Sequence, residues 1–260
     1  MLIFEDLKKY YPESVWQNHP ESVLKEYIQY ELLESIFKTK DSVNLSFIGG
    51  TAIRIIYGSY RFSEDLDFDN FGLSFNDFKK ILDLTVKDMS LKGFNVEFRF
   101  VEKDAFHCYV KFPSMLYDFG LSGHINEKIL IRIDTVKKKK IIDPEPVFLN
   151  KFGIYKKILV NPANIILSQK LITALNRKTQ KGRDFYDISY LYGFTEPDFD
   201  FIKDSLGKNK EIFVKDFLKQ CEGLDFKNLA KDVEPFLIDS QSLERVINFK
   251  EFIFSKFKQI

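Results

Sequence analysis

The double glycine Gly49-Gly50 follows the apolar run Asn44 to Ile48 and precedes Thr51-Ala52-Ile53-Arg54-Ile55-Ile56-Tyr57, where apolar residues recur at helical spacing. Few chain geometries satisfy that order. A short run suited to a buried strand must turn on glycine into a helix, and glycine permits both the sharp turn and a close approach of backbone to a ligand. Gly58 reads as the helix stop. A helix that starts at such a turn presents free N–H groups and a positive dipole end, which favour an anion such as phosphate, and Thr51 adds a hydroxyl.

The next segment, Arg61-Phe62-Ser63-Glu64-Asp65-Leu66-Asp67-Phe68, carries two acids at positions i and i+2 of a run, Asp65 to Phe68, that reads as a second strand. Side chains two apart on a strand share a face, so both carboxylates point the same way. Converging acids repel unless a cation lies between them, and Mg²⁺ is bound in this manner, by one or two carboxylates together with substrate phosphates. An isolated Asp-x-Asp is more often a solvated turn. The glycine turn upstream tips the reading to a metal-bound phosphate.

Composition narrows the classes further. The 260 residues allow one large domain or two modest ones, and 45% hydrophobic content with 28 Phe is ample for a core. A net charge of +1 gives no overall pull toward nucleic acid or membrane, so any basic surface must be local. Cys108 and Cys221 are too few for a disulfide framework and fit a reducing cytosol. His19, His107 and His124 lack zinc-ligand spacing. The start Met1-Leu2-Ile3-Phe4-Glu5-Asp6 has no basic region followed by an apolar segment, and no run approaches membrane-spanning length. A cytoplasmic protein with no membrane partner is expected.

Along the chain, residues 1 to 19 read as an irregular or short helical lead-in, and Pro20 opens a helix with Leu24, Tyr27, Ile28, Leu32, Ile36 and Phe37 on one face. Ser74 caps a second helix through Val86, ended near Gly93. Phe94 to Val101 and Phe106 to Phe112 read as a hairpin, and residues 113 to 126 as loop. In the strand Lys128 to Thr135, Ile129, Ile131 and Ile133 share one face and Leu130, Arg132 and Asp134 the other. Asp134 is then placed either to join Asp65 and Asp67 or to form an ordinary salt bridge. The basic run Lys137 to Lys140 is a solvated face or a phosphate-backbone contact. Asp143-Pro144-Glu145-Pro146 breaks regular structure and marks the expected domain boundary, with helices beyond it. There Lys170, amid apolar neighbours, either snorkels or is held toward a site. Arg183 and Asp184 fall in a first helical turn, where an acid complements the dipole. Ile212 to Leu218 and Leu243 to Phe257 read as amphipathic helices.

Taken together, Gly49-Gly50-Thr51-Ala52-Ile53-Arg54, the Asp65-Leu66-Asp67 segment, Lys170 with Leu171 and Ala174, and Arg183-Asp184-Phe185-Tyr186-Asp187 resemble the AbiEii/AbiGii toxin family of nucleotidyltransferases. The resemblance covers about residues 45 to 192. It implies an α+β fold related to DNA polymerase beta: a nucleotidyltransferase-like mixed β-sheet lobe with helices over residues 1–146, and a mostly helical lobe over 147–260 that completes the active site. Asp65 and Asp67 match the metal-binding acids, with Mg²⁺ (or Mn²⁺) implied, and Asp134 lies where a third carboxylate is expected. Gly49, Gly50, Thr51 and Ser63 match the nucleotide-phosphate motif. Lys170 matches the lysine of the nucleotide phosphates, and Arg183 and Asp184 match the Arg-Asp motif. Gly49-Gly50-Thr51 replaces the Gly-Ser pair of the wider superfamily, which favours the toxin branch.

The implied activity is transfer of a nucleotide from an NTP to an RNA acceptor, the 3′ end of tRNA in some members, with a separately encoded antitoxin as partner. Nucleotide attachment to a protein would use the same residues. A nuclease would not need the glycine turn, and a non-catalytic NTP-binding regulator would not need both acids.

Overall fold

The computed structural model describes residues 1–102, 105–138 and 142–258. Its chain forms two compact units, one from Met1–Ala52 and Ser63–Asn161, the other from Ile53–Phe62 and the chain from Pro162 onward.

In the first unit, the short helices α1 (Phe4–Lys8) and α2 (Glu13–Asn18) lead into α3 (Pro20–Ile36). The apolar spacing of α3 predicts one buried face, yet Glu26, Gln29 and Glu31 are buried as well. Two of these polar groups show how such burial is tolerated. Glu26 accepts from Tyr11 Oη (2.7 Å) and Lys151 Nζ (2.8 Å), and Gln29 Nε2 donates to the Ser63 carbonyl (2.9 Å).

Strand β1 (Leu45–Ile48) runs into α4 (Gly49–Ile55), inside which the chain leaves this unit, and it returns just before β2 (Leu66–Asn70). Helix α5 (Phe75–Leu91) starts on the Ser74 and Asp77 capping box. Then follow β3 (Glu97–Glu102), β4 (Phe106–Pro113), α6 (Met115–Asp118) in the stretch expected as loop, and β5 (Lys128–Lys137). Strand β3 begins three residues after Phe94. That ring is instead buried against Tyr27 and Phe112.

Two further strands, β6 (Glu145–Lys151) and β7 (Ile154–Val160), complete a seven-stranded mixed sheet of order β3-β4-β5-β2-β1-β7-β6. They correct the expectation of helices beyond residue 146. The break between units falls at Asn161/Pro162, not at the proline pair. Pro146 is accommodated because β6 is the outermost strand, where a missing N–H costs no ladder bond. Phe152 (φ 59) and Gly153 (φ 77) make the tight hairpin turn, which needs two residues of positive φ.

The second unit holds the end of α4 and the helices α7 (Ala163–Asn176), α8 (Gly182–Leu191), α9 (Phe199–Leu206), α10 (Lys210–Glu222), α11 (Phe226–Val233), α12 (Glu244–Ile247) and α13 (Phe249–Lys258). The helix expected over Leu243 to Phe257 is interrupted at Asn248. Phenylalanines build this core: Phe185 meets Phe226 and Phe249 edge-on at 5.1 and 4.9 Å.

Candidate active site

The acids of the first unit are brought together by sheet register. Asp67 on β2 lies opposite Ile48 on β1 and Asp134 on β5, and Asp134 lies opposite His107 on β4. Directly opposed residues share a face, so Ile48, Asp67, Asp134 and His107 form one row across the sheet. Asp65 stands one residue before β2, two positions from Asp67.

The turn into α4 closes on this row. Gly49 has φ +80, and a Cβ there would collide with Asp67 Oδ2, so both the backbone angle and the carboxylate demand glycine. Gly50 is buried beside it. Thr51, expected to add its hydroxyl to a phosphate site, is buried and donates that hydroxyl to the Asp65 carbonyl, which ties the helix start to the acid segment. Ser63 is held through its carbonyl by Gln29.

Arg132 and His107 organise the acids, and neither was assigned a role from sequence. The signal for Arg132 was there, since alternation puts Leu130, Arg132 and Asp134 on one face. Its Nη2 lies 3.0 Å from Asp65 Oδ2 and its Nε 2.8 Å from Asp134 Oδ2, while His107 Nδ1 lies 2.8 Å from Asp134 Oδ1. Burial works against the Arg132 charge, but Asp65, Asp134 and Asp67 outweigh it and hold the guanidinium more firmly protonated than usual. Among the described residues no three His, Cys, Asp or Glu side chains stand arranged to hold a metal ion. The donor set nevertheless fits a hard cation, since carboxylate oxygens are what Mg²⁺ and Mn²⁺ take, and the missing Cβ of Gly49 makes room for one of them.

Asp69, next on the same face of β2, is buried and accepts from Asn161 Nδ2 (2.8 Å), whose Oδ1 accepts from Ser46. It belongs to the scaffold. Lys138 lies 3.4 Å from Asp69, and Lys139 and Lys140 of the basic run lie outside the described residues.

The second unit gathers the other candidates. Lys170 on α7 contacts Asp187 Oδ2 (2.8 Å) and Asp184 Oδ1 (3.2 Å) on α8, where spacing i, i+3 puts both acids on one face. Asp184 also meets Arg177 Nε at 3.3 Å, and Asp187 takes a two-pronged pair from Arg61 (2.9 and 2.7 Å). The Lys170 side chain is 14% exposed and that of Asp187 fully buried. Burial disfavours both charges. Arg61 and then Lys170 still hold the Asp187 carboxyl below its usual range, while Asp187 and Asp184 hold the Lys170 ammonium above its own against the opposing charge of Arg61. Asp184 therefore does more than complement a dipole, and Arg61 and Asp187 are members that spacing alone did not single out. Arg183 is half-buried.

Cys108 and Cys221 are free and buried, and burial pushes both thiols up to about 12. No described helix is long and apolar enough to cross a membrane.

The fold, a mixed sheet followed by helices, is shared by solved structures. JHP933 of Helicobacter pylori aligns with a TM-score of 0.56 at 14% identity, over 92% of this chain and 94% of that one. MenT4, a nucleotidyltransferase toxin of Mycobacterium tuberculosis, aligns with a TM-score of 0.55 at 14% identity, over 98% and 90%. At those identities the likeness establishes the fold alone. Residues 31–255 match the family described as nucleotidyl transferase AbiEii toxin, type IV toxin–antitoxin system, and the chain belongs to that family. It is a nucleotidyltransferase of the toxin type, which implies an NTP substrate and a cognate antitoxin. Among curated proteins none matches the chain.

Proposed function

We propose that the protein transfers a nucleotide from an NTP to an RNA acceptor, the 3′ end of tRNA, with Mg²⁺ or Mn²⁺ held by Asp65, Asp67 and Asp134. The observation that carries this reading is the register of Asp67 with Asp134 on neighbouring parallel strands, with the Gly49 turn closed on Asp67. A cation bound to these acids would supply Lewis-acid charge for the transfer. Backbone N–H groups at Gly49, Gly50 and Thr51, together with Ser63, would hold the terminal phosphates. Asp134, held by His107, takes the proton of the acceptor hydroxyl as its oxygen bonds to the α-phosphorus; the bond to the β-phosphate oxygen breaks and pyrophosphate leaves. In the second unit, Asp184 and Asp187 keep the Lys170 ammonium charged, and Lys170 and Arg183 carry the nucleotide-phosphate role that the family resemblance implies.

The test is incubation with each α-labelled NTP and bulk RNA. Wild type labels RNA 3′ ends with release of pyrophosphate, and Asp65→Ala and Asp67→Ala lose about a hundredfold or more of the rate. Full labelling by those variants would remove the assigned acids, and label found in protein would replace the acceptor.

A further inference from the structure

The proposed transfer leaves Arg132 without a task, although its guanidinium bridges two of the three acids. The two contacts differ in kind. Nη2 hydrogen-bonds Asp65 Oδ2 at 3.0 Å, and the backbone N–H of Arg132 also reaches Asp65 Oδ1 at 3.4 Å. Nε stands 2.8 Å from Asp134 Oδ2, yet this buried N–H has no hydrogen-bond acceptor, so the contact is charge without a directed bond. The Arg132 side chain is 40% exposed and can withdraw to solvent with little rearrangement of the fold. Arg61, by comparison, has both prongs accepted by Asp187 and is 3% exposed. The acid face is thus neutralised by a guanidinium that is incompletely bonded and half in water.

A cation that takes oxygens from both Asp65 and Asp134 competes with Arg132, because one oxygen of each contacts a guanidinium nitrogen and the other already meets the Arg132 backbone N–H or His107. A displaced guanidinium then wants an anion, and a polyphosphate matches its planar fork. We propose that Arg132 is a displaceable counter-ion of the acid face that makes divalent-cation binding depend on nucleotide. It neutralises Asp65 and Asp134 until an NTP offers its phosphates, then exchanges the carboxylates for them and releases the acids to the cation. This inference rests on the reading of the acid face as the cation and nucleotide site. Cation alone must strand the guanidinium, and nucleotide alone meets the repulsion of the carboxylates. Each ligand therefore strengthens the other, and by linkage to the same extent.

The experiment measures Mn²⁺ binding to the full chain by the loss of free-Mn²⁺ paramagnetic resonance. It is run with and without α,β-methylene nucleoside triphosphates, corrected for Mn²⁺ bound by each analogue alone. For wild type, one or more analogues should tighten Mn²⁺ binding about tenfold or more. Arg132→Gln should bind Mn²⁺ alone about tenfold tighter than wild type, with the extra tightening by analogue reduced to about twofold. Arg132→Lys keeps the charge but not the bridge and should fall between them. It also carries the test if the Gln variant fails to fold. If neither variant binds Mn²⁺ tighter than wild type while Asp67→Asn loses binding, Arg132 does not have this role and the acid site stands. If Asp67→Asn binds Mn²⁺ as wild type does in the presence of analogue, the acid-site reading fails and Arg132's role falls with it.

Discussion

Each unit carries a cluster of Asp with Arg or Lys, and the two clusters differ above all in their contact with water. On the acid face of the first unit, Asp65 and Arg132 are 30% and 40% exposed and the pairing is incomplete. In the second unit Arg61 and Asp187 are sealed at 3% and 0%, with every prong of the pair made. The same chemistry serves opposite ends. Charges left near water can change partners, as the proposed phosphate-and-cation site requires, whereas the sealed Arg61–Asp187 pair holds its core together.

The largest effect that would test this contrast is expected at Arg61. Arg61→Ala leaves the buried Asp187 carboxylate with Lys170 as its remaining charge partner and should lower stability by about 3 kcal/mol, read from urea unfolding. Its pH dependence follows from the shifts. Asp187 is depressed, so its contribution is present above the ordinary carboxylate value and is lost as pH falls through the lower native one. Lys170 is raised, so its contribution is present below 10.5 and is lost as pH rises through the higher native value. The gap between wild type and Arg61→Ala should therefore be widest at neutral pH and narrow in acid. A gap independent of pH would show that packing, not charge, sets the cost.

A smaller effect is expected where the first unit's turn meets its acid. Gly49→Ala forces φ +80 on alanine and pushes Asp67 aside, for a loss of about 1–3 kcal/mol in the same unfolding measurement. Its effect on nucleotidyl transfer should be larger than its effect on stability. Equal losses would mean that the turn serves the fold alone. The smallest effect belongs to Arg177, whose side chain is 33% exposed at the rim of the buried cluster. Arg177→Ala should cost no more than about 1 kcal/mol. A loss matching that of Arg61→Ala would break the link between burial and role on which the comparison rests.

Much of the site could be read without coordinates because local rules carry it. Glycine after a strand and before a helix marks the turn, and alternation puts Asp65 with Asp67 and Arg132 with Asp134. What could not be read is which strand lies beside which. The sheet order β5-β2-β1 is what sets Asp134 against Asp67, and β4 beside β5 is what gives Asp134 its His107. The proline pair at 144 and 146 misled for the same reason. Proline signals a break unless the strand is an edge, and edge position is a property of the assembled sheet.

Gly49-Gly50 and the acids that follow pointed by themselves to the phosphate-and-cation chemistry that is proposed for this chain. Conformational freedom and side-chain charge belong to residues wherever they stand. Only the tertiary structure decided that Gly49 is required by the carboxylate of Asp67, that Thr51 secures the acid segment, and that Arg132 bridges two acids while Arg61 locks a third. Those are distances between residues far apart in the chain, and they exist only once burial has fixed which faces meet.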